Sequence, residues 1–139
     1  MEDPFDLERF VRAQDPVFEE VRAELRRGSK ASHWMWFVFP QLKGLGRSWM
    51  AQKFGIASRA EAEAYLAHPV LGARLTECTG LVNLVDRRSI EAILGGIDAV
   101  KFRSSMTLFA QVAGDTSVFA DALRKYFAGR ADLLTLDRL

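Results

Sequence analysis

Apolar residues recur along this chain at spacings of three and four, the period of an α-helix, and polar capping residues mark where each run begins and ends. Leu7, Phe10 and Val11 share one face behind Asp6, which predicts a short helix capped by that aspartate. Asp15 and Pro16 predict the cap and first turn of a second helix. Its Phe18, Val21 and Leu25 point inward, acids sit in its first turn and Arg26 and Arg27 in its last, and Gly28 is its stop. Ser58 and Glu61 have capping-box spacing and open a helix through Leu66. Pro69 starts another, in which Leu71, Leu75, Cys78, Val82 and Val85 repeat over about four turns. Ser89 predicts a short turn ending at Gly95 and Gly96, and Asp98 caps a helix carrying Phe102, Met106, Phe109 and Ala113. Asp115 opens a last helix, with Phe119, Leu123 and Phe127 inward and Gly129 as its stop.

The run His33 to Pro40 holds six consecutive apolar residues, which suits a buried strand as well as a buried helix. With helices predicted on both sides and no partner strand in sight, a central buried helix ended by Pro40 is the expectation. The pattern therefore predicts an all-α fold: one compact orthogonal bundle of seven or eight helices spanning residues 1–139, with no linker, repeat or low-complexity tract.

Composition narrows this picture. A chain of 139 residues, 49% apolar and 27% charged, is an ordinary single globular domain, able to bury roughly 65–70% of its unfolded surface. Net charge is +1, so no global field draws it to nucleic acid or anionic membrane, and neither is expected as a partner. Cys78 is the single cysteine and the two histidines are scattered, which argues against a disulfide or a structural metal site. The N-terminus lacks a basic start and apolar core, so a cytoplasmic location is expected. No cofactor is implied, and a homo-oligomer is possible without being indicated.

Three phrases stand together: SHWMWFVFPQLKGLG at 32–46, EAEAYLAHPVLGARLTEC at 61–78 and DAVKFRSSMTLF at 98–109. They resemble the signature of the bacterial family catalogued as domain of unknown function 1810, whose members often carry an unsupported calpastatin label. The resemblance covers nearly the whole chain and implies an all-helical fold. Met50 to Phe54, Pro69 to Leu75 and Lys101-Phe102 are more loosely similar in order to the YbiA-like (NADAR) enzymes, N-glycosidases acting on ADP-ribose-type compounds. That likeness implies a glutamate five residues before Ala51, where this chain has Gly46.

The candidate chemistry lies in two stretches. On an ideal helix His33, Trp36, Phe37 and Pro40 share one face and Trp34, Val38 and Gln41 another. An indole beside an imidazole can stack a planar base or sugar while His33 moves a proton. Equally, these aromatics can be core, with His33 and Gln41 satisfying backbone groups. Gly44-Leu45-Gly46, between Lys43 and Arg47, can offer backbone N–H groups to a phosphate or be an ordinary glycine turn. Lys101, Ser104 and Ser105 sit at i, i+3 and i+4 and can converge on one ligand, with Asp98 as a second proton carrier beside His33. Alternatively, Lys101 pairs with Asp98 while the serines allow close packing. Glu77 is a possible replacement acid, and Cys78 an inert core thiol.

These features predict a binder of nucleotide or ADP-ribose-type molecules, or an N-glycosyl hydrolase. The catalytic candidates are His33 and Asp98, and the ligand contacts are Trp34, Trp36, Gln41, Gly44, Gly46, Arg47, Lys101, Ser104 and Ser105. The competing expectation is a non-catalytic interaction domain with an exposed aromatic segment.

Overall fold

The computed structural model describes residues 2–139, and among these the chain forms ten α-helices and no strand beyond an isolated bridge. The helices are α1 (Glu8–Gln14), α2 (Phe18–Arg26), α3 (Met35–Val38), α4 (Trp49–Lys53) and α5 (Arg59–Ala67), then α6 (Leu71–Leu84), α7 (Ile90–Leu94), α8 (Gly96–Ala113), α9 (Val118–Phe127) and α10 (Leu133–Arg138). The helix α8 is the spine, packed by α5, α7, α9 and α10, while α6 lies against α2, α5 and α9.

Aromatic side chains join these elements. Phe10 meets Tyr65 edge-on at 5.1 Å, Tyr65 meets Phe109 at 5.4 Å and Phe109 meets Phe119 at 5.8 Å, so one aromatic row ties α1, α5, α8 and α9. A second row runs from Trp34 through Phe39 to Phe102, the last pair T-shaped at 5.0 Å. Phe10, Phe102 and Phe109 are wholly removed from water, which stabilises the fold by about 2 kcal/mol for each ring before entropy is subtracted.

Some helix boundaries follow the expected local chemistry and others do not: Asp98, expected to cap α8, lies inside it, the helix beginning at Gly96 without a side-chain cap. Ser58 and Ser89 cap as expected, their hydroxyls accepting the N–H of Glu61 and Ala92. Asp6 does not cap α1; it sits at φ +50°, and the carboxylate of Asp3 takes the N–H groups of Leu7 and Glu8 instead. Asp15 ends α1 and pairs with Arg74 at 2.8 Å rather than opening α2, which starts two residues beyond Pro16. Ser117, not Asp115, caps α9. At α1 and α9 another side chain took the free N–H groups, whereas α2 begins without a side-chain cap.

The segment 33–40 forms a single helical turn, Met35–Val38, instead of the longer helix expected there. Pro40 disfavours the helical conformation at Phe39, which takes φ −122° and ψ 73°. The chain then runs extended, and Gln41 to Lys43 pairs in parallel with Ile56 through bonds of 2.8 and 2.9 Å. Five of the six apolar residues 34–39 are buried and Trp36 is half-buried, so the expected division into two helical faces does not arise. The last helix, α10, is an element that apolar spacing does not reveal, because its Leu133 and Leu134 face solvent.

Candidate functional site

Two assemblies hold chain segments against α8. In the first, Glu24 on α2 is 2% exposed, and its carboxylate accepts the N–H groups of Ala31 and Ser32, the Ser32 hydroxyl and the Trp34 indole N–H at 3.0 Å. Burial alone would raise the pKa of this group. The bonds from Ser32, Ala31 and Trp34 outweigh burial and hold it down, from the usual 4.5 to about 2. Lys30 sits 2.9 Å from Asp98, Lys101 lies 3.3 Å from the other oxygen of Asp98, and the Lys101 ammonium stands 4.4 Å from the centre of the Trp36 ring. Segment 30–36 is thereby fastened to the start of α8.

In the second, α8 grips the chain entering α10. Arg103 donates to the carbonyls of Arg130 and Ala131, and the Thr107 hydroxyl accepts the Asp132 N–H at 2.8 Å. Ser104 donates to Asp132 Oδ2 at 2.9 Å, and the same oxygen caps α10 by accepting the N–H and hydroxyl of Thr135. Asp132 Oδ1 takes part in none of these bonds.

Between these assemblies lies a hollow of about 360 Å³, lined by Gln41, Leu45, Gly46, Ile97, Val100, Lys101, Ser104, Asp132 and Leu134. Gln41 and Gly46 thus meet Lys101 and Ser104, although Gln41 and Lys101 stand sixty positions apart. A Cβ added to Gly46 would come 2.9 Å from the Ala51 methyl and 3.5 Å from the Gln41 amide nitrogen. That position therefore cannot take the glutamate of the N-glycosidase likeness without a shift in its neighbours.

The remaining candidates lie elsewhere. Trp34 is buried with its N–H given to Glu24, so it offers no face to a ligand. Ser105 is buried with its hydroxyl unpartnered, and it too is turned away from the hollow. His33 is exposed, and it is separate from the residues around the hollow. Asp98 is engaged by two ammonium groups, and Trp36 touches the site only through Lys101. Gly44, at φ +97°, faces the Arg138 guanidinium, and neither it nor exposed Arg47 lines the hollow. Glu77 is bound by Arg22, and burial raises the Cys78 thiol to about 12, which keeps it protonated. Two residues missed by helical spacing, Asp132 and Leu134, complete the wall; their signal was an aspartate three residues before a threonine at a helix start.

Larger depressions exist but are less suited to a ligand. At one, of about 470 Å³, all five N–H donors of Arg9 are already given to Phe5, Asp6, Lys53, Gly55 and Glu61. At another, beside α1, His68 Nδ1 accepts the N–H groups of Val70 and Leu71. Among the described residues no helix is long and apolar enough to cross a membrane, and no group of three or more His, Cys, Asp or Glu side chains can hold a metal ion.

The fold is similar to the crystal structure of the conserved hypothetical protein Rv1873 from Mycobacterium tuberculosis, with a TM-score of 0.95 and 56% sequence identity over 99% of this chain and 98% of that one. Among curated proteins no relative matches. Residues 4–139 match the family described as protein of unknown function (DUF1810), so the chain belongs to that family.

Proposed function

We propose that the protein is a small-ligand binding domain whose hollow between α8, α10 and the 41–46 loop takes one nucleoside-sized molecule. The observation that supports this is the meeting of Gln41 and Gly46 with Lys101 and Ser104 at one opening. Leu45, Ile97, Val100 and Leu134 supply an apolar wall, and Gln41, Lys101 and Asp132 supply a few polar contacts. An apolar wall with few polar groups, at the lower end of the usual range of about 300–1,000 Å³, is the common make-up of small-molecule sites. Lys101 is the one cation in the lining and is shared with Asp98, so a diphosphate has little to hold it. A nucleoside suits the hollow better than ADP-ribose. For an N-glycosyl substrate, Asp132 is the carboxylate in the lining that can take a proton from the attacking water.

Thermal-shift titration with adenosine, NAD and ADP-ribose at millimolar concentration tests this reading. Adenosine raises Tm with concentration, ADP-ribose does no better, and Gln41→Ala or Lys101→Met reduces the response while leaving the free protein's Tm nearly unchanged. No shift with any of the three overturns it. A second reading, a protein-interaction face, is favoured by Ile97, Val100, Leu133 and Leu134, each more than 60% exposed around the same opening. A dimer in sedimentation that Leu134→Asp dissociates would establish that reading.

A further inference from the structure

The small net charge conceals a strong segregation. Residues 25–60 hold seven of the nineteen lysines and arginines and not one carboxylate, whereas the rest of the chain sets twelve cations against eighteen carboxylates. Three of the seven, Lys43, Arg47 and Lys53, stand exposed on and around α4. Lys43 and Lys53 border one depression above the saturated Arg9 guanidinium, and Arg138 joins them from the far end of the chain by packing against Gly44. The carboxylates nearby are Asp6, at the edge of that depression, buried Glu61, which Arg9 neutralises, and exposed Asp137, which precedes Arg138 on α10.

The first residue of α4, Trp49, is 70% exposed on this basic lobe. Trp34 is fully buried and Trp36 half-buried, so Trp49 alone leaves its indole in water. Lys53 approaches the ring at 5.0 Å, and Ser48 caps the helix beneath it. No apolar cluster surrounds the indole: Arg47, Ser48, Gln52 and Lys53 are all exposed, and Met50 and Leu45 are half-buried. A membrane surface would require further apolar side chains beside the tryptophan. A lone exposed indole with Lys53 at its ring and Arg47 two positions before it, on a lobe without exposed acids of its own, matches another surface, an unpaired base flanked by phosphates.

We propose that this lobe binds single-stranded nucleic acid without sequence preference, Trp49 stacking on one base while Lys43, Arg47, Lys53 and Arg138 neutralise the neighbouring phosphates. Duplexes bind more weakly, because their bases are already stacked on each other. This assignment uses residues outside the hollow and stands or falls separately from the nucleoside reading.

Fluorescence anisotropy with labelled oligouridylate and oligothymidylate, of a dozen residues each, tests it in the full-length protein. At low salt both strands bind, tryptophan emission is quenched, and log K falls against log salt with a slope of about −3 for four phosphate contacts. Trp49→Ala weakens binding roughly tenfold and removes the quenching. The Lys43→Ala, Lys53→Ala double variant flattens the slope by about 1.4. Arg124→Ala, which removes a cation on α9, leaves binding unchanged. All these positions are exposed, and far-UV circular dichroism checks that the variants fold. Absence of binding at low salt, equal binding by Trp49→Ala, or sedimentation with phosphatidylglycerol vesicles but not with oligonucleotides overturns the proposal.

Discussion

Glu24 fastens residues 31–34 to α2 and Asp132 fastens the start of α10 to α8, yet they do so in opposite ways. Glu24 lies out of water and spends both oxygens on four donors from residues 31–34. Asp132 is half-buried, concentrates its bonds on Oδ2 and lines an opening. A saturated carboxylate in a dry setting holds shape and has nothing left to offer a ligand. A half-used one at the edge of water can do both.

The widest separation between the two is expected on removing each carboxylate. Glu24→Ala orphans two backbone N–H groups and an indole N–H, and costs about 3 kcal/mol or more in urea unfolding. The same group should appear in the pH dependence. Its folded pKa, about 2, lies below the usual 4.5, so its contribution is complete above pH 4.5 and is lost as pH falls toward 2. That loss amounts to about 3 kcal/mol, and Glu24→Gln abolishes that part of the acid slope. Asp132→Asn should cost less, about 1 kcal/mol for a weakened cap, while changing the adenosine response. If Asp132→Asn proves as damaging as Glu24→Ala, the contrast between them fails.

Smaller effects sharpen it. Ser105→Ala removes a buried, unpartnered hydroxyl and should stabilise the fold by up to about 1 kcal/mol. Lys101→Met loses an ion pair at partly exposed positions and should shift stability by under about 0.5 kcal/mol, yet remove most of the ligand response. His33→Ala should change neither unfolding nor adenosine binding, since that exposed imidazole stands apart from the hollow.

Local chemistry made several elements legible in advance. Ser58, Ser89, Gly28 and Gly129 mark helix ends because a cap bonds backbone only a few residues away. The short α3 was overestimated because six apolar residues satisfy a helix and an extended buried stretch equally, and Pro40 decided between them. The last helix escaped notice because its leucines face water and Arg103, Ser104 and Thr107 hold its start from a distance. Within the candidate site, the spacing of Lys101 and Ser104 placed them on one side of α8, but it grouped Ser105 with them although that hydroxyl faces the core.

By itself the sequence determined the helical class, the family and those helix ends, such as Ser58 and Ser89, whose caps bond near neighbours. Tertiary structure decided which polar heads are used up and which stay open to solvent. Trp34 and Gln41 lie seven positions apart, and the amino-acid order ranks them alike. Only the arrival of Glu24 at one and of α8 at the other separates a structural indole from an amide facing a hollow.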